Sequence, residues 1–421
     1  MKFGLLTFPG LFNSFHAARP TLLSQRLEPS VLYVAPLSGE SVFIPDNRPR
    51  DDVDFYLCSV YTRGWKEFTD FSRDVGRSRI IAGGYHPTAL PHDTLHFANK
   101  VVTGYCKNID RIVDGEEGIH QGEFGFTPLR RDLLDMSKMR QVYPDIKSDD
   151  ICGSMVSSVG CPFDCEFCST PNMSGRKMRV STLDYVNEEI ADLESKGVTT
   201  VFIRDESFAT NPSLKDIALQ FKDHFRMVYS FGTGAVMAKR PDMIEHLVDC
   251  GWHSLNLGLE DIGVTYRKNR NLKEATEHCR KYGMRYVLSF IVNDDGKTQD
   301  EARQNYQALY EAFVDLKPAQ VCANFVMPFP GTALWNSYKD KITERDFEKF
   351  DSKTPVFTSG AFAEWHKRML VAVQVKYYHS DTYHKEVRRF DVEDTLHLRM
   401  KELQREFGLE NTRWEDLLKL Q

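Results

Sequence analysis

Short apolar runs alternate with helix-length stretches through most of this chain of 421 residues, and this alternation is the feature that most constrains its fold. The first such runs are KFGLLTF, SVLYVAPL, VDFYLCSV, RIIAGGYHP and KVVTGY. Strands that alternate with connections long enough for a helix indicate a parallel α/β sheet, because parallel neighbours can only be joined by a crossover. Residues 1–120 are therefore predicted to form a Rossmann-like parallel sheet domain.

The same rhythm restarts in the second part of the chain. A connector is predicted over 121–155, and it is followed by the runs TTVFIRD, MVYSFGTGA, SLNLGLED, RYVLSFIVN and AQVCANFVMPF. About six strand–helix units can be counted, fewer than the eight of a closed β/α barrel. The sequence thus predicts a partial six-unit β/α barrel over 156–340 and a helical C-terminal region over 341–421.

One helix of the second part has clear end signals. The stretch STLDYVNEEIADLESKG begins with Ser181 or Thr182, either of which can cap a helix, and it closes at Gly197. A helix is predicted between these residues.

Charge and composition favour a globular protein of the cytoplasm. The formal net charge is -6, and 41% of the residues are hydrophobic. An acidic chain argues against a general nucleic-acid binder, and the absence of a run of about 18 apolar residues argues against a membrane span. The basic and aromatic run KYYHSDTYHKEVRRF could bind nucleic acid, but its spacing in an acidic chain favours an amphipathic helix that covers the barrel.

Three of the nine cysteines are crowded into one short loop. Cys161, Cys165 and Cys168 have the spacing Cys-x3-Cys-x2-Cys in the stretch GCPFDCEFCSTP. Zinc sites usually show a second pair of ligands, which is missing here. Three thiolates can instead hold three irons of a 4Fe–4S cluster and leave the fourth iron open. A zinc knuckle with one distant ligand, or three unrelated loop cysteines, remain as alternatives.

The stretch GCPFDCEFCSTP resembles the cluster-binding loop of the radical S-adenosylmethionine superfamily. The resemblance implies that the loop follows the first strand of a partial barrel and that Phe167, before the third cysteine, flanks the adenine of S-adenosylmethionine. It also implies that the open iron chelates the methionine part of that cofactor. An electron from an external donor of flavodoxin or ferredoxin type then produces a 5′-deoxyadenosyl radical.

Other motifs follow in the order that this family shows. In FIRDESF, the resemblance makes Asp205 and Glu206 the candidates for contacting the amino group of the cofactor, because a carboxylate can accept hydrogen bonds from an ammonium group. In LNLGLED, it places Glu260 near the ribose. The runs YVLSFIVN and VMPFPGTAL resemble the family's fifth and sixth strands.

The N-terminal part resembles the cobalamin-binding domain of one radical S-adenosylmethionine subgroup, which includes the class B methyltransferases. LCSVYTRG carries Ser59, and IIAGGYHPTALP carries Gly83 and Gly84, whose lack of side chains allows close backbone approach to a ligand. The first loop has no Asp-x-His-x-x-Gly motif, and its His16 stands in a different setting. The resemblance therefore implies cobalamin without a lower protein ligand to cobalt, or an empty relic of the domain.

These features predict a radical enzyme that functionalises an unactivated C–H position of a small-molecule or peptide substrate, with cobalamin-dependent methyl transfer as its reaction. The alternative is a cobalamin-independent radical enzyme whose N-terminal domain is a relic or a substrate dock. A methylthio-transferring enzyme would need a second cysteine cluster, and the surroundings of Cys58, Cys106 and Cys152 do not resemble one. A non-catalytic metal protein is disfavoured by the cofactor motifs that follow the cysteine loop.

Overall fold

Two parallel sheets organise the protein, in agreement with the predicted α/β class. The computed structural model describes residues 1–8, 39–107, 109–139, 146–147, 149–262, 266–293, 295–387, 404–410 and 412–417. Within these residues the strands form two six-stranded sheets and one two-stranded ribbon. The predicted strand SVLYVAPL and His16 lie outside the described residues.

The first sheet is built from the N-terminal strands β1 (Lys2–Phe8), β2 (Glu40–Phe43), β3 (Phe55–Val60), β4 (Ile80–Gly83), β5 (Lys100–Thr103) and β6 (Gly118–Gln121). All neighbours are parallel, in the order β2-β1-β3-β4-β5-β6. β2 lies on one side of β1, whereas β3 and the later strands lie on the other, so the order in which strands are added changes direction between β1 and β3. Open α/β sheets bind ligands at such a switch point, beyond the carboxyl ends of the strands. β6 lies partly in the segment where a connector was predicted, because its four residues carry little apolar signal.

The helices of the first part are α1 (Trp65–Val75), α2 (Tyr85–Ala89), α3 (Pro91–Leu95) and α4 (Ile109–Val113). α1 buries Phe68 and Phe71 against the sheet, where both rings contact Phe8 of β1. The sheet is covered on both faces, with separate apolar clusters on its two sides. This double cover explains why its strands read as nearly continuous apolar runs.

The second sheet contains β7 (Cys152–Met155), β10 (Thr200–Ile203), β11 (Met227–Phe231), β12 (Trp252–Glu260), β13 (Arg285–Val292) and β14 (Gln320–Phe325). Each strand pairs in parallel with the next, and β7 and β14 stand at opposite edges of the sheet. The ribbon of β8 (Ser158–Val159) and β9 (Arg179–Val180) is separate. The six strands match the predicted number of units, and the sheet is open rather than closed into a barrel.

The helices that accompany this sheet are α5 (Thr170–Ser174), α6 (Leu183–Ser195), α7 (Leu214–Gln220), α8 (Gly234–Met237), α9 (Pro241–Asp249), α10 (Leu272–Lys281), α11 (Gln299–Leu316), α12 (Ala333–Tyr338) and α13 (Gly360–Tyr378). The predicted end signals of α6 are confirmed: the Thr182 hydroxyl accepts a hydrogen bond from the Tyr185 backbone N–H at 3.2 Å, and Gly197 follows with a φ of +71°. Local capping chemistry thus fixed both ends of this helix.

The C-terminal region packs on the last units of the second sheet. α13 buries Tyr377 and Tyr378, whose hydroxyl groups bond to the Pro318 carbonyl and the Val321 backbone N–H near the start of β14. α13 therefore packs against the last strands of the second sheet. It contains the first three residues of the run KYYHSDTYHKEVRRF, which was predicted to form a helix that covers the barrel, and 388–390 of that run lie outside the described residues. Among the described residues, no helix combines the length and the apolar character that crossing a membrane requires.

A buried arginine ties the connector to the second sheet. Arg131 is 1% exposed, and its guanidinium donates to the Ser154 carbonyl at 2.6 Å, to Glu189 at 2.8 Å and to Asp192 at 2.8 Å. Glu189 is equally buried and also accepts from the Leu129 backbone N–H at 3.2 Å. The connector is thus held in place by charged hydrogen bonds that water cannot replace.

Replacing Arg131 by Met should destabilise the protein by about 3–5 kcal/mol, because Glu189 would remain buried without its partner. Urea unfolding of the cluster-free protein, followed by circular dichroism, measures this loss. Arg130→Met is the matched control, since Arg130 pairs with Asp132 at the surface and should cost about 1 kcal/mol or less. Equal losses in the two variants would contradict the role given to Arg131.

Candidate active site

The three clustered cysteines lie on the loop that follows β7, at the carboxyl edge of the second sheet. Cys161, Cys165 and Cys168 are each partly exposed and form no disulfide. The loop is closed by hydrogen bonds from the Cys161 N–H to the Gly175 carbonyl at 3.3 Å and from the Cys168 N–H to the Cys165 carbonyl at 3.1 Å. Three free, partly exposed thiols therefore lie on one loop at the ligand-binding edge of a parallel sheet.

The three thiols are close enough for their charges to act on one another. In the part of the chain that the structure describes, no three His, Cys, Asp or Glu side chains are gathered around one point that could hold a metal ion. Burial raises the pKa of Cys165 to about 11 and also raises that of Cys161. Since thiolates are the iron ligands, binding must release these protons.

Asp205, at the end of β10, holds the strand that leads into the cysteine loop. It is fully buried, and its carboxylate accepts hydrogen bonds from the N–H and hydroxyl of Ser157, both at 2.7 Å, and from the Ser158 hydroxyl. Burial raises the pKa of Asp205 to about 6, and the serine hydrogen bonds oppose that shift. Both carboxylate oxygens are engaged by the chain itself, which favours a positioning role.

Glu206 makes a second tie to the same loop and extends it to the first sheet. Its carboxylate accepts from the Gly160 N–H at 2.9 Å, from the Ser174 hydroxyl on α5, and from the Tyr105 hydroxyl at 3.2 Å. Tyr105 follows β5 of the first sheet. One carboxylate therefore joins both sheets and the cysteine loop.

Glu260, at the end of β12, forms an ion pair with Lys268 beside the cysteine loop. The Lys268 ammonium lies 5.4 Å from the ring centre of Phe167, and that ring packs edge-on against Tyr266 at 5.3 Å. The nearby charges of Glu260 and of the Cys165 and Cys168 thiolates raise the pKa of Lys268 against the opposing effect of burial. A fixed positive charge therefore stands next to the thiols.

The predicted residues of the first sheet gather at its carboxyl edge. Ser59 pairs in register with Gly83, and a side chain on Gly84 would meet the Ser59 hydroxyl at 3.2 Å. Gly84 has a φ of +100°, which favours glycine and lets the chain turn sharply here. The next residue, Tyr85, stacks on Tyr61 with ring centres 5.6 Å apart.

The carboxyl edges of the two sheets face each other. Burial is the main cause of the raised pKa of Tyr85, and the charges of Glu206 and Cys168 add to it, so the phenol lies near both groups. At the same junction, a side chain on Gly331 would touch Asn172 of α5 and Ala89 of α2, at 2.6 and 3.0 Å. The site predicted around the cysteines and the site predicted around the glycines thus border one space.

Two further residues, His86 and Cys152, are buried in the two sheets' cores. His86 is buried, lies against Trp65 at 4.3 Å between ring centres, and has its pKa lowered to about 4 by burial. Cys152 is fully buried at the first residue of β7, whereas the cysteine loop leaves the other end of that strand. The positions of both favour packing roles.

Comparison with known proteins decides the family. The Radical SAM superfamily model matches residues 155–309, which begin at the end of β7 and include the cysteine loop. Residues 155–309 are thus a radical SAM domain. The protein is therefore an enzyme, and the cofactors of this domain are a 4Fe–4S cluster and S-adenosylmethionine.

Two curated relatives are named as a methyltransferase and a methylase. A bacteriochlorophyllide d C-8(2)-methyltransferase of Chlorobaculum tepidum is 22% identical over 322 residues, which are 70% of this chain and 70% of that protein. A hopanoid C-3 methylase of Methylococcus capsulatus is 26% identical over 257 residues, which are 59% of this chain and 48% of that protein. The match thus spans 70% of the first relative's length and about half of the second's.

A solved structure shares the fold over most of the chain. The radical S-adenosylmethionine methyltransferase TsrM from Kitasatospora setae, solved with cobalamin and a 4Fe–4S cluster bound, superposes with a TM-score of 0.54. The superposition covers 79% of this chain and 76% of that chain at 14% identity. At 14% identity, this likeness shows that the two chains share a fold, and nothing more.

Several neighbours of the radical SAM site were not found from the sequence. Ser157 and Ser158 precede the cysteines in SSVGC, but nothing in their spacing marks them as partners of Asp205. The segment between Glu260 and Lys268 shows neither helical nor strand periodicity, so their ion pair could not be predicted from the sequence. Tyr85 and Tyr105 come from the other sheet, and no local signal could have placed them here.

Gly160 should be essential for building the cluster loop. It has a φ of +101°, and a side chain there would clash with the Lys177 carbonyl oxygen, so Gly160→Ala should abolish iron uptake. Gly175→Ala is the control, because Gly175 has a φ of +75° but nothing within 4 Å, and its backbone strain should cost about 1–2 kcal/mol. Iron per chain after anaerobic reconstitution measures both. Full iron in Gly160→Ala would refute this account of the loop.

Asp205 should give the cluster-free protein a specific pH dependence. Its pKa of about 6 lies above the ordinary 3.8, so between these values the folded chain holds a proton that the unfolded chain releases. Stability from this group is present at low pH and is lost as pH rises through 6; the loss between pH 5 and pH 8 is about 1 kcal/mol.

Urea unfolding of wild type and Asp205→Asn at both pH values measures this loss. The stability advantage of the wild type over the variant should shrink at pH 8. Asp216→Asn, at an exposed site on α7, should give a difference that does not change with pH. A pH-independent difference for Asp205→Asn would show that this carboxyl does not titrate as described.

Proposed function

We propose that this radical SAM enzyme transfers a methyl group to an unactivated carbon of its substrate, and that it uses cobalamin held by the first sheet. The observation that carries the proposal is the junction of the two sheets, where the Tyr105 hydroxyl donates to Glu206 at 3.2 Å and the Thr88 hydroxyl of α2 lies 3.5 Å from the Met173 sulfur of α5. A substrate bound in that space would have a cluster loop on one side and the glycine edge of the first sheet on the other. Methyl transfer by two cofactors needs such an arrangement.

The names of the relatives support methylation as the reaction. The curated proteins that match over the largest shares of the chain are methyltransferases of bacteriochlorophyllide d and a hopanoid methylase. The structure with the same fold, TsrM, was solved with cobalamin bound. The strand order of the first sheet also supports a ligand at its carboxyl edge. The switch point lies between β1 and β3, and Ser59 lies near the carboxyl end of β3.

The chain's own residues would divide the work as follows. Cys161, Cys165 and Cys168 would hold three irons, and their loop would be kept in shape by Asp205 and Glu206 through the hydrogen bonds described above. When bound, the cluster and S-adenosylmethionine supply the radical that removes a hydrogen atom from carbon. The protein orients these groups and keeps water out of the junction.

Other predicted contacts complete the proposal. Phe167, next to Cys168, would flank the adenine, and Glu260 would approach the ribose side of the cofactor. Gly83 and Gly84 would let the backbone approach the corrin closely, with Ser59 beside them. The substrate would be a small molecule or a peptide, and an external donor of flavodoxin or ferredoxin type in the cytoplasm would supply electrons.

Two variants should separate the two cofactors. Wild-type protein purified anaerobically from cells supplied with cobalamin should contain about four irons and about one cobalt per chain. Cys165→Ala should lose the iron and keep the cobalt. Gly83→Phe should keep the iron and lose the cobalt, because the new ring would occupy the carboxyl edge of the first sheet.

Gly83→Ala is the matched control for steric damage. A side chain of that size would meet Val102 atoms only at 3.5 and 3.6 Å, which is ordinary contact, so both metals should remain. Iron without cobalt in the wild type would leave a radical enzyme and point to the alternative, in which the first sheet is a relic or docks the substrate. Zinc that persists after reconstitution would overturn the enzyme assignment.

A further inference from the structure

Lys268 is a cation that the fold places directly beside the cysteine loop. Its side chain is 23% exposed, and its ammonium lies over the ring of Phe167, the residue before Cys168. Phe167 directly precedes Cys168, so the positive charge lies close to the thiols that the cluster would use.

The partner of Lys268 is held in an unusual backbone conformation. Glu260 is 6% exposed and has a φ of +60°, a left-handed value that residues with side chains adopt at an energetic cost. The register of β12 with β13 shifts between Gly258 and Glu260, which indicates a bulge. A side chain on Gly258 would clash with the Glu260 carboxylate. The glycine therefore provides the space that the Glu260 side chain occupies.

Together these features fix one positive and one negative charge at a set place near the loop. Net charge is one of the quantities that set the reduction potential of iron–sulfur clusters. A cation near the cluster favours the form with one more electron, and a carboxylate paired to that cation weakens its effect. These interactions are strong here because the pair is largely shielded from water.

We propose that Lys268 raises the reduction potential of the cluster on the cysteine loop and that Glu260 limits this increase. The cluster takes one electron from an external reductant, and no bond to Lys268 forms or breaks. The inference rests on the cluster assignment within the proposed function and is independent of cobalamin and of methyl transfer. Lys268 is thus a positioning residue that acts through charge.

The test is a redox titration of the reconstituted cluster with titanium(III) citrate, followed by electron paramagnetic resonance, without S-adenosylmethionine. At a fixed solution potential, Lys268→Met should lower the ratio of reduced to oxidised cluster about tenfold, which equals about 59 mV for a one-electron couple. Glu260→Gln should raise the same ratio. Lys268→Arg keeps the charge and should stay near the wild type.

Opposite shifts from the two partners distinguish this role from a structural one, since loosening the loop would move both variants in the same direction. Lys273→Met is the control, because Lys273 pairs with Asp315 at the surface and should leave the ratio unchanged. If Lys268→Met does not hold iron, a raised ratio in Glu260→Gln with an unchanged ratio in Lys268→Arg still supports the proposal, and any other pattern overturns it.

Two further outcomes would overturn the inference. One is an unchanged ratio in Lys268→Met with full iron. The other is an unchanged ratio together with weaker binding of S-adenosylmethionine by that variant, which would assign Lys268 to the cofactor carboxylate instead. A wild-type protein that takes up no cluster would contradict the proposed function itself, so the two failures can be told apart.

Discussion

The site depends on two consecutive carboxylates at the end of β10. Asp205 accepts from Ser157 and Ser158, and Glu206 accepts from Gly160, so the strand end fixes the chain immediately before the first cysteine. A loop with three thiols has no regular secondary structure of its own to hold it. Charge-assisted hydrogen bonds to its backbone supply the rigidity that a preorganised cluster site needs.

The same carboxylates explain why the two sheets act as one unit. Glu206 reaches the Tyr105 hydroxyl of the first sheet, and Gly331 lets α2 and α5 meet closely. Reactants held by different sheets can meet only if the carboxyl edges of the sheets face each other. The junction therefore brings two ligand-binding edges next to each other, and a radical formed between them would be shielded from solvent by both sheets.

Charge at the site is balanced rather than simply positive or negative. The buried Glu260 and Lys268 compensate each other, and the partly buried thiols lie within reach of that pair. Removing either partner would leave an uncompensated charge in a shielded place. Placing Glu260 in this ion pair requires a bulge at Gly258 and a left-handed backbone conformation at Glu260, both of which are locally unfavourable.

The sequence by itself determined the α/β class, the count of about six strand–helix units, the ends of α6, and the cysteine spacing on which the cluster prediction rests, because each depends on local periodicity, capping or spacing. It also marked Asp205, Glu206 and Glu260 as strand-end carboxylates. Only the tertiary structure decided what these carboxylates contact: serines for Asp205, a tyrosine of the other sheet for Glu206, and Lys268 for Glu260. The physical reason is that these contacts depend on how the strands align and how the two sheets pack, which local sequence does not encode. In the same way, β6 is part of the first sheet because it pairs with β5, and its own residues show no apolar pattern.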